Sequence, residues 1–185
     1  MEAAARDVGT VEREESGTAA TPSRTGVPER LDELLALAPD ELERLYAAAT
    51  VPAIGALRGA LRGRMLAVVG TRGRAARALR AFASWDRFPW RGKSFEPLGE
   101  SRGEGINRVV SDRVRLFRFE TSIARSRAGA FDALQLDYDL PENPWIIRRI
   151  EDEVRELRPG LWLGQAYLRA FGKPRLVLYF GLEAR

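Results

Sequence analysis

The residues with the clearest potential for acid–base chemistry lie in one alternating segment, 134–139, with the sequence LQLDYD. Side chains two residues apart on a strand point to the same face, so Asp137 and Asp139 share a face and Tyr138 points to the other. If the carboxylates line a cavity, one could act as a general base while a phenol such as Tyr138, or an arginine, stabilises an enolate or oxyanion. If they face solvent, they are ordinary surface charges. The candidate catalytic residues are therefore Asp137, Tyr138 and Asp139, with the orientation of the strand left open.

Two residue types that serve many active sites are missing from the chain. Its 185 residues include no cysteine and no histidine. This excludes disulfides, thiolate nucleophiles, Ser-His-Asp machinery, the common zinc sites and His-ligated haem. We therefore expect neither a metal nor a cofactor. Any enzyme built on this sequence would be a cofactor-independent and metal-independent cyclase, isomerase or lyase.

Charge is distributed unevenly along the sequence. The net charge is −6 over residues 1–50, +11 over 51–130 and −1 over 131–185, which together give the +4 of the whole chain. The basic middle segment could face an acidic partner, as in a pure interaction module. Of the thirty basic residues only Lys93 and Lys173 are lysine, a bias typical of a GC-rich bacterial genome. Because the arginines are not interleaved with exposed aromatics, we do not expect a nucleic-acid partner.

The sequence divides into a tail and one domain. Residues 1–27 are rich in Ala, Gly, Ser, Thr and charge, which predicts a disordered or lid-like tail. Residues 28–185 are predicted to form a single domain with a helical lead-in over 28–50, either two short helices or one broken at Pro39. No apolar run is long enough for a membrane span and none has the pattern of a signal peptide, so we expect a cytoplasmic protein.

The rest of the domain has the pattern of an α+β fold with a mostly antiparallel sheet. An amphipathic helix is predicted over 72–85, and another over 144–157, where Ile146, Ile150 and Val154 recur at helical spacing after Pro144. The apolar parity slips at Phe117, which predicts a β-bulge or a strand apolar on both faces. Strands are predicted over 57–69, 93–96, 106–110, 114–123, 131–139, 161–168 and 176–182.

Several short motifs resemble one family. The segment Gly59-Ala60-Leu61-Arg62-Gly63 is similar to the G-x-W-x-G motif of GXWXG-domain proteins, with Leu61 in place of the tryptophan. The segment Trp90-Arg91-Gly92-Lys93-Ser94-Phe95 is similar to the W-x-G-K-x-F entry of the domain of unknown function joined to GXWXG, and the resemblance extends to about residue 184. It implies a calycin-like barrel of about seven or eight strands, related in architecture to lipocalins.

A barrel of that size can hold one small molecule, and strand parity offers two possible linings. Either the face of Leu134, Leu136 and Tyr138 or the face of Gln135, Asp137 and Asp139 turns inward. Correspondingly, either the face of Leu161, Leu163, Gln165 and Tyr167 or the face of Trp162, Gly164, Ala166 and Leu168 turns inward. Arg91 and Lys93 are expected near the barrel mouth, where they could receive an anionic group. The candidate ligand-binding residues are Trp90, Arg91, Lys93, Phe119, Trp162, Tyr167 and Tyr179.

Three functions remain open at this point. The first is binding of a hydrophobic or aromatic small molecule, which could be anionic, in a lipocalin-like barrel. The second is a cyclase or isomerase of a secondary metabolite on the same barrel. The third is an interaction module that uses the basic segment. An interior cavity would favour the first two, whereas a barrel packed solid with side chains would favour the third. The sequence does not indicate an oligomeric state.

Overall fold

Eight antiparallel strands close into a barrel in the computed structural model, which describes residues 26–70, 90–170 and 173–185. Each strand pairs with the next one along the chain, and the last pairs with the first. This confirms the predicted mostly antiparallel barrel. The strands are β1 (Gly59–Val68), β2 (Trp90–Pro97), β3 (Arg102–Val109), β4 (Arg115–Arg125), β5 (Asp132–Asp137), β6 (Ile150–Arg158), β7 (Leu161–Ala170) and β8 (Lys173–Glu183).

Within the described residues, two helices precede the barrel and cover part of its outer face. They are α1 (Leu31–Leu34) and α2 (Pro39–Ala48), and the break between them comes just before Pro39, where the sequence predicts it. The side chain of Glu41 accepts a hydrogen bond from the Ala38 N–H at 2.8 Å, which caps the start of α2. The helices bury apolar side chains against outward-facing residues of β1, β7 and β8, in a cluster that includes Leu31, Leu34, Leu42, Tyr46, Leu66, Leu161, Leu163 and Tyr179.

The barrel interior is a second, separate apolar cluster. A 3₁₀ turn, Ile54–Ala56, lies at the end of the barrel where β1 begins, and Ile54 and Leu57 belong to the interior cluster. The inward face of β5 carries Leu134 and Leu136, and Tyr138 follows on the same side. Trp162 and Ala166 of β7 are also inside. The structure thus combines the Leu134 face of β5 with the Trp162 face of β7, whereas the sequence-based expectation set the Leu134 face beside that of Leu161.

The predicted helix over 144–157 is wrong. A single 3₁₀ turn, Ile147–Arg149, leads directly into β6. The apolar residues Ile146, Ile150 and Val154 are four residues apart, and a spacing of four fits the helical period as well as the even period of a strand. The error arises because the two-residue alternation of β6 is broken: the inward face carries the polar Asp152 and the outward face the apolar Leu157. The other predicted helix, 72–85, and residues 1–25 of the predicted tail lie outside the described residues.

The predicted irregularity at Phe117 is a β-bulge. Asn107 pairs with Leu116 while Ile106 pairs with Arg118, so Phe117 is the extra residue on β4. Its φ is 61°, in the left-handed region that non-glycine residues seldom adopt. The bulge brings the Phe117 carbonyl to within 3.2 Å of the Asn107 side-chain amide, which donates to it. The irregular strand therefore helps to position Asn107 inside the barrel.

The close approach of β1 and β2 depends on glycine. Gly92 has φ +119°, and a Cβ at this position would lie 2.2 Å from the Leu61 carbonyl oxygen and 2.6 Å from the Gly63 nitrogen. Only glycine fits both constraints. This contact positions Trp90 and Lys93, on either side of Gly92, at the interior. In the part of the chain that the structure describes, no helix is both long and apolar enough to cross a membrane.

Candidate functional site

A cavity of about 280 Å³ occupies the end of the barrel opposite the Ile54–Ala56 turn. It lies where β2 and β6 begin and where β3 ends, so residues from most of the strands contribute to its wall. Most of the wall is apolar, with four polar side chains grouped together. The lining residues are Met65, Trp90, Lys93, Asn107, Val109, Phe117, Tyr138, Ile147, Ile150, Asp152, Ala166, Leu178 and Phe180.

The four polar side chains of the cavity form one hydrogen-bonded group, the Lys93 cluster, made of Lys93, Asn107, Tyr138 and Asp152. The Lys93 ammonium donates to Asn107 Oδ1 at 2.9 Å, to the Tyr138 hydroxyl at 2.5 Å and to Asp152 Oδ2 at 2.9 Å. Lys93 is 3 % exposed, Tyr138 3 % and Asp152 4 %. A buried charge pair of this kind is tolerated only when its remaining polar atoms also have partners.

Nearly every polar atom of the Lys93 cluster has a partner. The Tyr138 hydroxyl donates to Asp152 Oδ2 at 2.9 Å and accepts from Asn107 Nδ2 at 3.2 Å. Trp90 Nε1 donates to Asn107 Oδ1 at 3.0 Å, which extends the group to the cavity wall. Asp152 Oδ1 is the exception among these described side chains, since it is buried without a hydrogen-bond partner. The cluster therefore keeps one acceptor available to a donor group.

Aromatic rings surround the Lys93 ammonium. Its Nζ atom lies 5.1 Å from the ring centroid of Phe180, 5.2 Å from Tyr138, 5.3 Å from Phe119 and 5.5 Å from Trp90. The ring of Phe180 fits inside because β7 has a glycine beside it: a Cβ on Gly164 would lie 2.2 Å from that ring. The rings exclude water from the amine and also offer it cation–π contacts.

Burial changes the acid–base properties of the cluster. It lowers the pKa of Lys93, although the negative charge of Asp152 and the hydrogen bond to it act in the opposite direction. Burial, reinforced by the charge of Asp152, raises the pKa of Tyr138 well above its ordinary value. Tyr138 therefore remains a neutral phenol over the physiological pH range, while Lys93 loses its proton more readily than a lysine in water.

Five of the sequence-predicted residues lie inside the barrel. Trp90, Lys93 and Tyr138 line the cavity itself. Phe119 and Trp162 are fully buried in the interior cluster but are not among the cavity-lining residues. Phe119 packs edge to face on Tyr138, with ring centroids 5.3 Å apart. Phe119 therefore packs directly against the Lys93 cluster, and both aromatics have packing positions in the barrel interior.

The placement of Asp137 and Asp139 decides the orientation that the sequence left open. Both side chains are exposed on the outer face, because it is Tyr138 that turns inward. Asp139 pairs with Arg148 at 2.7 Å, and Asp137 Oδ1 accepts a hydrogen bond from the Asp139 N–H at 2.9 Å. Neither carboxylate reaches the cavity. The general-base role proposed for them therefore has no structural support.

Three of the predicted ligand-binding residues also lie outside the cavity. Tyr167 and Tyr179 are buried on the outer face, beneath the helices, and the Tyr167 hydroxyl donates to Gln165 Oε1 at 2.6 Å. Their strand parity is opposite to that of Ala166 and Phe180, which line the cavity. Arg91 is half-buried beside the mouth, and its Nε donates to the Val110 carbonyl at 3.4 Å.

Two cavity-lining residues, Asn107 and Asp152, were not predicted from the sequence. Asp152 lies between Ile150 and Val154 at the two-residue spacing of an inward strand face, a signal hidden by the assignment of a helix. Asn107 follows Gly103 and Gly105 on the inward face of β3. A polar residue at an inward position next to a predicted bulge could have marked it.

Comparison with known proteins gives a fold and no activity. No family model matches the chain, and no curated protein matches it. A crystal structure of a protein from Thermomonospora curvata is similar, with a TM-score of 0.50 and 18% sequence identity. The match covers 84% of this chain and 95% of that one. At this level of identity the similarity concerns the fold alone.

The chemistry of the site follows from its geometry. The Lys93 and Asp152 charges neutralise each other, so the cavity has no net charge to attract a strongly anionic group. It offers a buried N–H donor, a phenol and a carboxylate beside apolar walls. Such a set of groups can orient a neutral oxygen-bearing molecule and can move protons to and from it.

Proposed function

We propose that the barrel binds a small apolar or aromatic molecule whose polar group meets the Lys93 cluster. The observation that carries the proposal is the cavity of about 280 Å³, with mostly apolar walls and four converging polar side chains. Small-molecule sites typically combine apolar walls with a few placed polar groups. Eight strands is also the barrel size at which an interior can hold one ligand, as in lipocalins. A calycin-like relationship is part of this proposal.

The size of the cavity limits the ligand. It has the volume of roughly nine water molecules at about 30 Å³ each, which suits a single aromatic ring with a short substituent. Because Asp152 already neutralises Lys93, a neutral alcohol, phenol or carbonyl compound suits the site better than a carboxylate. Cinnamyl alcohol has the required bulk, one ring and one hydroxyl group, and serves as a probe.

Filling the cavity should abolish binding. Ala166 faces the cavity, so Ala166→Phe places a ring in the space a ligand would occupy. We expect isothermal titration calorimetry to show saturable, one-to-one binding of cinnamyl alcohol to the wild type, and at least about a ten-fold loss of affinity in Ala166→Phe. Ala124→Phe is the matched control, because Ala124 is exposed on the outside of β4.

The proposal would be contradicted by equal affinities of the wild type and Ala166→Phe. It would equally be contradicted if no alcohol, phenol or aldehyde of this size bound to the wild type. Circular dichroism and a cooperative unfolding transition should first establish that both variants fold. A milder variant, Ala166→Leu, removes less space and should give an intermediate affinity, which distinguishes graded cavity filling from a general loss of structure.

A second candidate function is a cofactor-independent isomerase or cyclase, and the composition of the Lys93 cluster favours it. Asp152 is in place to accept a proton from a carbon next to a carbonyl. By exchanging their present acceptors for the substrate, the Tyr138 hydroxyl and the Lys93 ammonium, 2.5 Å apart, could both donate to the resulting enolate oxygen. Deuterium exchange at that carbon, followed by proton NMR in D₂O, tests this role. Exchange that is equally fast in Asp152→Asn would argue against it.

The cavity also bears on the third hypothesis. An interaction module needs no interior space, and the basic segment 51–130 supplies only a charge argument for it. We therefore place small-molecule binding first and proton-transfer catalysis second.

A further inference from the structure

We propose that Lys93 forms an imine with an aldehyde or ketone held in the barrel cavity. This inference rests on the proposed function, since the carbonyl compound must first bind. It goes further by assigning a class of ligand and a covalent step to one nitrogen atom.

The position of the Lys93 nitrogen carries the inference. Nζ lies in the wall of an apolar cavity, 2.9 Å from Asp152 Oδ2 and 2.5 Å from the Tyr138 hydroxyl. A carbonyl compound whose ring occupies the apolar space can bring its carbonyl carbon to this nitrogen. Imine formation needs an amine, a nearby group that accepts and returns protons, and exclusion of bulk water. All three are present at Lys93.

The step can be written with its protons balanced. Lys93 gives one proton to the Asp152 carboxylate, and the lone pair of the neutral amine attacks the carbonyl carbon. As the carbon–nitrogen bond forms, the carbonyl π electrons move to oxygen, which takes the proton back from Asp152. Asp152 then accepts a second proton from nitrogen and delivers it to the hydroxyl group, which leaves as water while the C=N bond forms. The products are a protonated imine, one water molecule and the original carboxylate.

The surroundings of the amine support this chemistry. Burial lowers the pKa of Lys93, so its neutral, nucleophilic form is reached at lower pH than for a lysine in water. Tyr138 acts as a positioning residue: its hydroxyl, kept protonated because burial raises its pKa, donates to Asp152 Oδ2 at 2.9 Å and orients the carboxylate. The rings around Nζ would shield the imine from hydrolysis.

The residue type is also informative. Arginine supplies all but two of the thirty basic residues of the chain, and Lys173 is the second lysine. Lys173 is exposed at the start of β8. A guanidinium does not lose its proton in proteins, whereas a buried ammonium can. The interior position is thus occupied by the basic side chain that can become a nucleophile.

Reductive trapping with cinnamaldehyde tests the inference. The full-length protein is incubated near pH 7 with cinnamaldehyde and sodium cyanoborohydride, which reduces an imine to a stable secondary amine. We expect intact-mass spectrometry to show one adduct per chain, and peptide mapping to locate it on Lys93. Because a bound aldehyde is held beside Nζ, Lys93 should be labelled at least about ten-fold faster than Lys173. The rate should rise with pH, beginning below the range expected for a lysine in water.

Two variants and one analogue make the outcome decisive. Lys173→Arg should keep the adduct, and Lys93→Arg should lose it. If Lys93→Arg does not fold, peptide mapping of the wild-type adduct still shows which lysine is labelled. An adduct found only on Lys173 or the α-amino group would overturn the inference. If cinnamyl alcohol binds in the cavity but cinnamaldehyde gives no adduct on Lys93, the imine is excluded and the proposed function stands. If neither compound binds, both fail together.

Discussion

Replacing Lys93 by methionine is expected to lower the free energy of unfolding by about 3–5 kcal/mol. Methionine fills much of the space of the lysine stem but leaves the Asp152 carboxylate buried opposite an apolar group. Tyr138 is then the remaining donor to Asp152 Oδ2 in the Lys93 cluster. The carboxylate must either stay charged without its counter-ion or take up a proton, and both alternatives cost free energy. Urea denaturation near pH 7 measures the loss.

A double substitution shows whether the stability lost in Lys93→Met comes from the unpaired Asp152 charge or from poorer packing of the side chain. In Lys93→Met combined with Asp152→Leu both charges are gone, so we expect most of the lost stability to return. Lys173→Met is the control: Lys173 is exposed, and the change should fall within about 0.5 kcal/mol. A cost below about 1 kcal/mol for Lys93→Met, or a double variant that loses the sum of the two single costs, would contradict a buried and mutually dependent charge pair.

Glu153→Ala is expected to destabilise the fold by about 3 kcal/mol without changing the cavity. Glu153 is 0 % exposed and lies on the outer face of β6, beneath α2. It accepts hydrogen bonds from the Tyr46 hydroxyl at 3.1 Å, the Ser126 hydroxyl at 2.6 Å and the Arg127 guanidinium at 2.7 Å. Alanine would leave buried donors without an acceptor. Chemical denaturation gives the stability, and calorimetry with cinnamyl alcohol tests the cavity.

Glu151→Ala is the matched control for this substitution. Glu151 lies two residues earlier on the same face and pairs with Arg127 at 2.6 Å and Arg169 at 2.9 Å, but it is nearer to solvent. Its loss should therefore cost clearly less than the loss of the fully buried Glu153. If both substitutions lower the free energy of unfolding equally, the burial of Glu153 does not increase its contribution to stability. A loss of ligand affinity in folded Glu153→Ala would mean that the site extends to the outer face.

Much of the barrel could be predicted because the positions of its strands follow from residue patterns within each strand and the turns beside it. Apolar runs and the turn residues between them marked seven of the eight strands, and the parity slip at Phe117 predicted a bulge or a strand apolar on both faces, of which the structure contains the bulge. The strand β6 was missed for a physical reason. Its inward face carries the polar Asp152 and its outward face the apolar Leu157, so the residue types do not alternate as they do on a half-buried strand. The remaining signal, a spacing of four, does not distinguish a strand from a helix.

The site was less predictable than the fold, because it depends on which face closes inward. Nothing within 134–139 decides between Tyr138 and its two aspartates. The decision is made by packing, as Leu134 and Leu136 join the interior cluster and carry Tyr138 with them. Lys93 and Tyr138 were identified as candidates, but their partners Asn107 and Asp152 come from β3 and β6, 14 and 59 residues from Lys93 in sequence. A hydrogen-bonded group assembled from four segments has no local motif.

The central claim, that the barrel cavity is a ligand site, is tested most directly at Met65. The chain has two methionines, Met1 and Met65, and Met65 lines the cavity. Carbon-13 labelling of the methionine methyl groups therefore gives two NMR signals, which Met65→Leu assigns. On titration with cinnamyl alcohol we expect the Met65 signal to shift and saturate at the concentrations that saturate calorimetric binding, and not to shift in Ala166→Phe. Saturable binding with an unmoved Met65 signal would place the ligand elsewhere and contradict the claim.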